Sequence, residues 1–151
     1  MRRVLTFTSS PLESDLTIAG PAELVLFASS TRSDADFIVK LSEQLPQSLQ
    51  QRAKGIQPSF AVVTKGWLRA SHRAVDAVLS KPGANELRIR LMPAGYCFKQ
   101  GSRIRIEIAC ADSPITDSQF SHIYTPNRIG TDTVHDTLAH PSHLVLPLLK
   151  P

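Results

Sequence analysis

Short runs of alternating apolar and polar side chains recur along this chain, and a helical period is almost nowhere sustained. Val4 to Thr8 comes first, then Asp15 to Ile18, then Ala22 to Ser29, where Leu24, Leu26 and Ala28 alternate with Val25 and Phe27. Apolar residues on both faces of that third run predict a strand well inside a sheet. Gly20-Pro21 predicts a turn before it, and with it a short hairpin. Phe37, Val39 and Leu41 next share one side, with Ile38 and Lys40 on the other. Phe60 to Thr64 returns to strand character, and Trp67 to Arg73 predicts either a short strand or one helical turn. After the turn at Lys81-Pro82-Gly83, Leu87, Ile89 and Leu91 face inward while Arg88 and Arg90 face out. In Phe98 to Asp112, Ile104, Ile106, Ile108 and Cys110 alternate with Arg103, Arg105, Glu107 and Ala109.

Between these runs, Pro46 to Pro58 reads as a surface loop, rich in Gln, Ser and Lys. Ala111 to Pro141 predicts long loops with one short strand, Thr133 to Leu138. His143 to Leu149 is the last strand, and Pro147 within it predicts an edge position or a bulge. Many short strands, scarce helix and no repeat predict an all-β antiparallel sandwich, in one domain spanning residues 1–151.

Charge changes this picture little. Seventeen basic against thirteen acidic residues give +4, but the basic residues are dispersed, which predicts a solvated surface rather than a nucleic-acid partner. Cys97 and Cys110 lack the spacing of a zinc site and are too few for a disulfide framework, which predicts buried thiols in a reducing compartment. The opening MRRVLTFTSSPL has no apolar core for a signal peptide. No run approaches the about 18 apolar residues of a membrane span. A cytoplasmic protein without a membrane partner is the expectation.

Catalytic motifs are absent. None of the seven glycines begins a G-x-S-x-G nucleophile elbow, and no nucleotide-binding glycine pattern occurs. His135, His140 and His143 with Asp132 and Asp136 form the one cluster suggestive of a metal. His140 and His143 fall on opposite faces of a strand, however, and Pro141 forbids a regular helix there. Ser118, His122 and Asp117 could meet only in space, with no motif to support a triad. No catalytic residue, metal or cofactor is therefore assigned. Among the aromatics, the strand phenylalanines are expected in the core, while Trp67 and Tyr124 are candidates for contact with a ligand or partner.

Several segments taken together carry a resemblance: LTFTSSPLESDLTIAGPAELVLFASS, DADFIVKL, TKGWLRASHR, PAGYCFKQGSRIRIEIACADSP and HPSHLVLP. In order and spacing the chain resembles the C-terminal non-catalytic domain of X-Pro dipeptidyl-peptidases and the related cocaine-esterase-type (CocE/NonD) serine hydrolases. One departure is Ser113-Pro114, which stands where that family's serine-rich loop carries a Phe-Pro step. The resemblance implies a jelly-roll β-sandwich of the galactose-binding-like class. It also implies an accessory role beside an α/β-hydrolase catalytic domain, in the same or a separate chain, with a homo-oligomer as a further partner. The module would pack on the catalytic domain, wall part of its cleft or support oligomerisation, while the parent hydrolyses esters, amides or Xaa-Pro peptides. Asp36, Arg69 and Arg73 match family motifs and are expected to be structural. A freestanding carbohydrate-binding module and a homo-oligomeric structural domain are the alternatives.

Overall fold

The computed structural model describes residues 4–31, 35–70, 83–110 and 130–149. Ten strands and one short helix follow in the order β1 (Val4–Thr8), β2 (Leu16–Gly20), β3 (Glu23–Ser30), β4 (Asp36–Gln44), α1 (Leu49–Ala53), β5 (Phe60–Arg69), β6 (Asn85–Arg90), β7 (Ala94–Phe98), β8 (Arg103–Ala109), β9 (Asp132–His135) and β10 (His143–Val145). The all-β antiparallel sandwich expected from the alternation is what forms.

One sheet runs β1-β8-β4-β5, a second places β3 between β6 on one side and β10 and β9 on the other, and β2 pairs with β7 in a two-stranded sheet. All these pairings are antiparallel. The central position of β3 accounts for its apolar residues on both faces: Val25, opposite in phase to Leu24 and Leu26, is also buried. Registry aligns the inward rows, with Val39 opposite Ile108 and Leu41 opposite Ile106 in one sheet, and Leu24 opposite Ile89 and Leu26 opposite Leu87 in the other. These rows meet in a single core that Phe37, Phe98 and Ile18 join. Each such buried side chain contributes roughly 1.5–3 kcal/mol, against about 0–1 kcal/mol for a surface ion pair, so the inward rows determine the fold.

Several expectations are corrected. Gly20-Pro21 makes no hairpin, because β2 pairs with β7 and β3 with β6. Gly20, at φ 128°, and Pro21, which offers no ladder N–H, instead redirect the chain from one sheet into another. The loop after β4 contains α1, started by a capping box in which Ser48 Oγ accepts from Gln51 N–H and the Gln51 side chain accepts from Ser48 N–H. Cys110 is exposed beyond the end of β8 and Cys97 is half-buried, so neither is a core thiol. Phe7 and Phe60 are exposed rather than in the core. The last run stops at Val145, and the chain then crosses to β2, where Ala19 N–H donates to Pro147 and Leu149 N–H to Thr17.

Gly66 marks where the two four-stranded sheets touch. It bridges to Leu91 just past β6, and Met92 N–H donates to the Lys65 carbonyl beside it. A side chain at Gly66 would collide with that crossing backbone.

Candidate functional site

The outer face of the β1-β8-β4-β5 sheet is the most chemically distinctive surface among the described residues. Pairing registers place Arg103, Arg105, Glu107 and Ala109 of β8 beside Gln44, Ser42, Lys40 and Ile38 of β4. On the other side of β4, Ile38 faces Trp67, Lys40 faces Lys65, and Ser42 and Gln44 face Val62 and Phe60. Val63 is the extra residue of a bulge opposite the Leu41/Ser42 step. Trp67 and Phe60 are seven apart and would fall on opposite faces of a regular strand; the bulge returns them to the same one.

Charges in the middle of this face satisfy one another. Glu107 takes an ion pair from Lys40 on one oxygen and from Arg105 Nη2 at 2.9 Å on the other. Burial pushes the Glu107 carboxyl up, but the hydrogen bonds and charges of Lys40 and Arg105 outweigh it and hold the group below the usual carboxylate range. The Arg105 guanidinium also lies 4.4 Å from the centroid of the Phe60 ring. Arg103 donates to the Ser9 carbonyl at 2.7 Å, tying β8 to the residue after β1. At the far end Arg69 grips Asp36 through two bonds, Nε to Oδ1 at 2.7 Å and Nη2 to Oδ2 at 3.1 Å.

Along β5 the same face sets exposed apolar side chains on either side of Lys65. Trp67 is 67% exposed, and Val62 and Phe60 are exposed with it. Indole, phenyl and arginine are the groups that anchor protein interfaces. The Glu107 carboxylate, held by two cations, can be covered without stranding an uncompensated negative charge.

A second feature lies between the sheets. A cleft of about 330 Å³ opens beside β1, lined mainly by Phe7, Ile104, Ile106, Leu24, Val134 and Leu144. Leu5 and Phe7 stand in register with Ile108 and Ile106 and so belong to the inward row, yet they are 43% and 45% exposed. Edge strand β1 therefore presents core-type side chains to the outside.

A buried carboxylate, missed in the sequence, pins the turn between β7 and β8. Glu43, 3% exposed, accepts the Tyr96 O–H at 2.6 Å and the Lys99 N–H at 2.7 Å. Burial pushes Glu43 up, but the hydrogen bonds from Tyr96 and the Lys99 N–H together with the Lys99 charge bring it below its ordinary value. The bond to Glu43, followed by burial, pushes the Tyr96 phenol up to about 12. Position 43 differs from a surface glutamate only in the company β4 gives it, which no local pattern announces.

Of the residues singled out in the sequence, Asp36, Arg69 and Trp67 lie on one sheet face, and the first two are paired. Tyr124, Arg73, Ser118, His122 and Asp117 lie outside the described residues. His135 and His140 have their rings 6.0 Å apart, and His135 Nε2 shares a hydrogen bond of 2.9 Å with Ser29 Oγ. His143 turns instead to the Pro141 carbonyl at 2.8 Å. Among the described residues no three His, Cys, Asp or Glu side chains come together as a metal site, and no helix is long and apolar enough to cross a membrane.

Comparison with known proteins matches residues 2–145 to the family described as the X-Pro dipeptidyl-peptidase C-terminal non-catalytic domain. A Mycobacterium bovis protein that carries the name serine esterase is 32% identical over 169 residues, taking in 99% of this chain and 24% of its own length. The cocaine esterase of a Rhodococcus species is 24% identical over 155 residues, 97% of this chain and 26% of that protein. This chain thus spans about a quarter of the relatives it matches. Among solved structures, an aminopeptidase from a marine-sediment Thaumarchaeota archaeon superimposes with a TM-score of 0.76 at 24% identity, covering 97% of this chain and 26% of that one. A CocE/NonD family hydrolase from Staphylococcus aureus gives 0.73 at 20% identity, covering 99% and 33%. These two likenesses are likenesses of fold.

Proposed function

Since the chain belongs to the X-Pro dipeptidyl-peptidase C-terminal non-catalytic domain family, we propose that it serves as the accessory β-sandwich of a CocE/NonD-type serine hydrolase. In this reading it packs on an α/β catalytic domain through the outer face of the β1-β8-β4-β5 sheet. By that contact it completes part of the wall of the catalytic cleft. The parent would hydrolyse esters, amides or Xaa-Pro peptides with residues the accessory domain does not supply. Self-association, the other role such a module can have, would use a different surface.

The observation that carries this reading is the position of Trp67. It stands two-thirds exposed on the same face as the exposed Phe60 and Val62, with the Glu107 carboxylate of that face already held by Lys40 and Arg105. An isolated domain gains nothing from an indole in water. Against a second domain the same indole gives up its exposed apolar area, and Glu107 keeps both its cations while it is covered.

The test is direct. The purified chain is expected to show no turnover of p-nitrophenyl esters or Xaa-Pro nitroanilides. Turnover that disappears on replacing one of its own serines would overturn the accessory reading.

A further inference from the structure

We propose that Cys97 and Lys99 form a redox-responsive modification site, at which hydrogen peroxide joins the cysteine sulfur to the lysine nitrogen in a reversible sulfenamide. The inference goes beyond the accessory role and uses no residue of the outer face around Trp67, so the two stand or fall separately.

A thiol, an amine and a carboxylate meet where β7 ends. Lys99 Nζ lies 3.5 Å from Cys97 Sγ and 2.8 Å from Asp15 Oδ2, and the same carboxylate oxygen lies 3.8 Å from the sulfur. The backbone holds each group in place. Leu16 stands opposite Phe98, which brings the residue before β2 alongside the residue after β7, and Gln100 N–H donates to Asp15 Oδ1 at 2.8 Å. Lys99 is tied through both of its own peptide groups. Its N–H donates to Glu43 Oε1 at 2.7 Å, and its carbonyl accepts from Ser102 N–H at 3.0 Å and from Ser102 Oγ at 2.5 Å. An exposed lysine ordinarily spreads its amine over many rotamers; here the Asp15 carboxylate gathers it against the sulfur. Cys97 is half-buried and Lys99 is exposed, so a small oxidant reaches the sulfur from solvent.

The chemistry consumes a single peroxide. The Cys97 sulfur attacks hydrogen peroxide, the O–O bond breaks, and the sulfur is oxidised to the sulfenic acid while the peroxide is reduced to water. The Lys99 amine, its extra proton released to solvent past Asp15, then attacks that sulfur. The S–N bond forms as the S–O bond breaks, and the departing hydroxide takes a proton from the nitrogen to leave as water. Thiol, amine and peroxide thus give the sulfenamide and two waters. Contact decides the outcome: an amine already at the sulfur intercepts the sulfenic acid before a second peroxide carries it to the irreversible sulfinic acid. A thiol reductant reverses the link by attacking the sulfur, which returns Cys97 and Lys99 and leaves the reductant as its disulfide. While the link stands, Lys99 carries no ammonium charge and Asp15 loses its ion pair.

The test treats the 151-residue chain, in a Cys110→Ser background, with hydrogen peroxide and reads the products by intact and tandem mass spectrometry. The expected product is a chain lighter by two hydrogen atoms, with the peptide bond after Lys99 resistant to trypsin and the original mass restored by dithiothreitol. Lys99→Arg keeps a positive charge beside Asp15 but removes the primary amine. It is expected to lose the link and to accumulate sulfinic acid at Cys97. Sulfinic acid as the main product at Cys97 when Lys99 is present, linkage of Cys97 to a different residue, or the same loss of mass in the Lys99→Arg chain would each overturn the proposal.

Discussion

Gly66 of β5 lies so close to Arg90 that a Cβ built on it would stand 2.6 Å from the Arg90 carbonyl oxygen and 2.9 Å from the Cα of Leu91. Both obstacles are backbone, and both belong to the bridge by which the end of β6 crosses onto β5. Neither can swing aside as a side chain would.

Gly66→Ala is therefore expected to destabilise the domain by about 1–3 kcal/mol, the usual range for forcing a carbon into a filled site. Gly95, with open space where its Cβ would go, is the control, and Gly95→Ala should stay within about 0.5 kcal/mol. Urea unfolding followed by circular dichroism measures both. Equal effects would mean that the crossing is looser than described.

The two β8 arginines should separate in the same assay. Arg105→Ala removes a pairing to Glu107 and the stack over Phe60, and should cost about 1 kcal/mol. Arg103→Ala loses one hydrogen bond to the Ser9 carbonyl at an exposed position and should cost less. A double-mutant cycle between Arg105 and Phe60 is expected to give coupling of about 0.5–1 kcal/mol, and zero coupling would remove the stack from the account.

Glu43 and Tyr96 make stability depend on pH at both ends. The folded pKa of Glu43 lies below its ordinary value, so its contribution is present above the unfolded carboxylate pKa and is lost as pH falls through the folded one. The phenol of Tyr96 is raised, so its contribution is complete below the ordinary tyrosine value and is lost as pH rises through about 12. Tyr96→Phe removes a donor from Glu43, and is expected to move the acid unfolding midpoint to higher pH and to erase the tyrosine's share of the alkaline loss. An unchanged acid midpoint would show that the Lys99 N–H suffices.

Much of this was legible in the chain because burial here follows a period of two. The inward phases of Leu24, Leu26, Phe37, Val39, Leu41, Leu87, Ile89, Ile106 and Ile108 could each be read from their neighbours, and with them the class of fold. What could not be read depends on a break in that period or on distant partners. One extra residue, Val63, flips the phase of Phe60 relative to Trp67 and so hides the face they share. Phe7 has the pattern of a core residue, but whether the opposite sheet extends far enough to cover it is a property of the whole sandwich. The Glu43–Tyr96 bond joins residues 53 apart, and neither has a local signature. Asp36 and Arg69 could each be marked as structural only through family resemblance; the register of β4 on β5 supplies the reason, since it places them directly opposite.

The docking role of the outer face can be measured in a chimera in which this chain replaces the matched quarter of the Mycobacterium bovis relative. Hydroxyl-radical footprinting with mass spectrometry would compare side-chain reactivity in the chimera with that in the chain alone. Trp67, Phe60 and Val62 are expected to lose most of their reactivity on joining the catalytic portion, while Leu138, fully exposed and outside this face, keeps its own. Unchanged reactivity at Trp67 in an active, folded chimera would contradict the account.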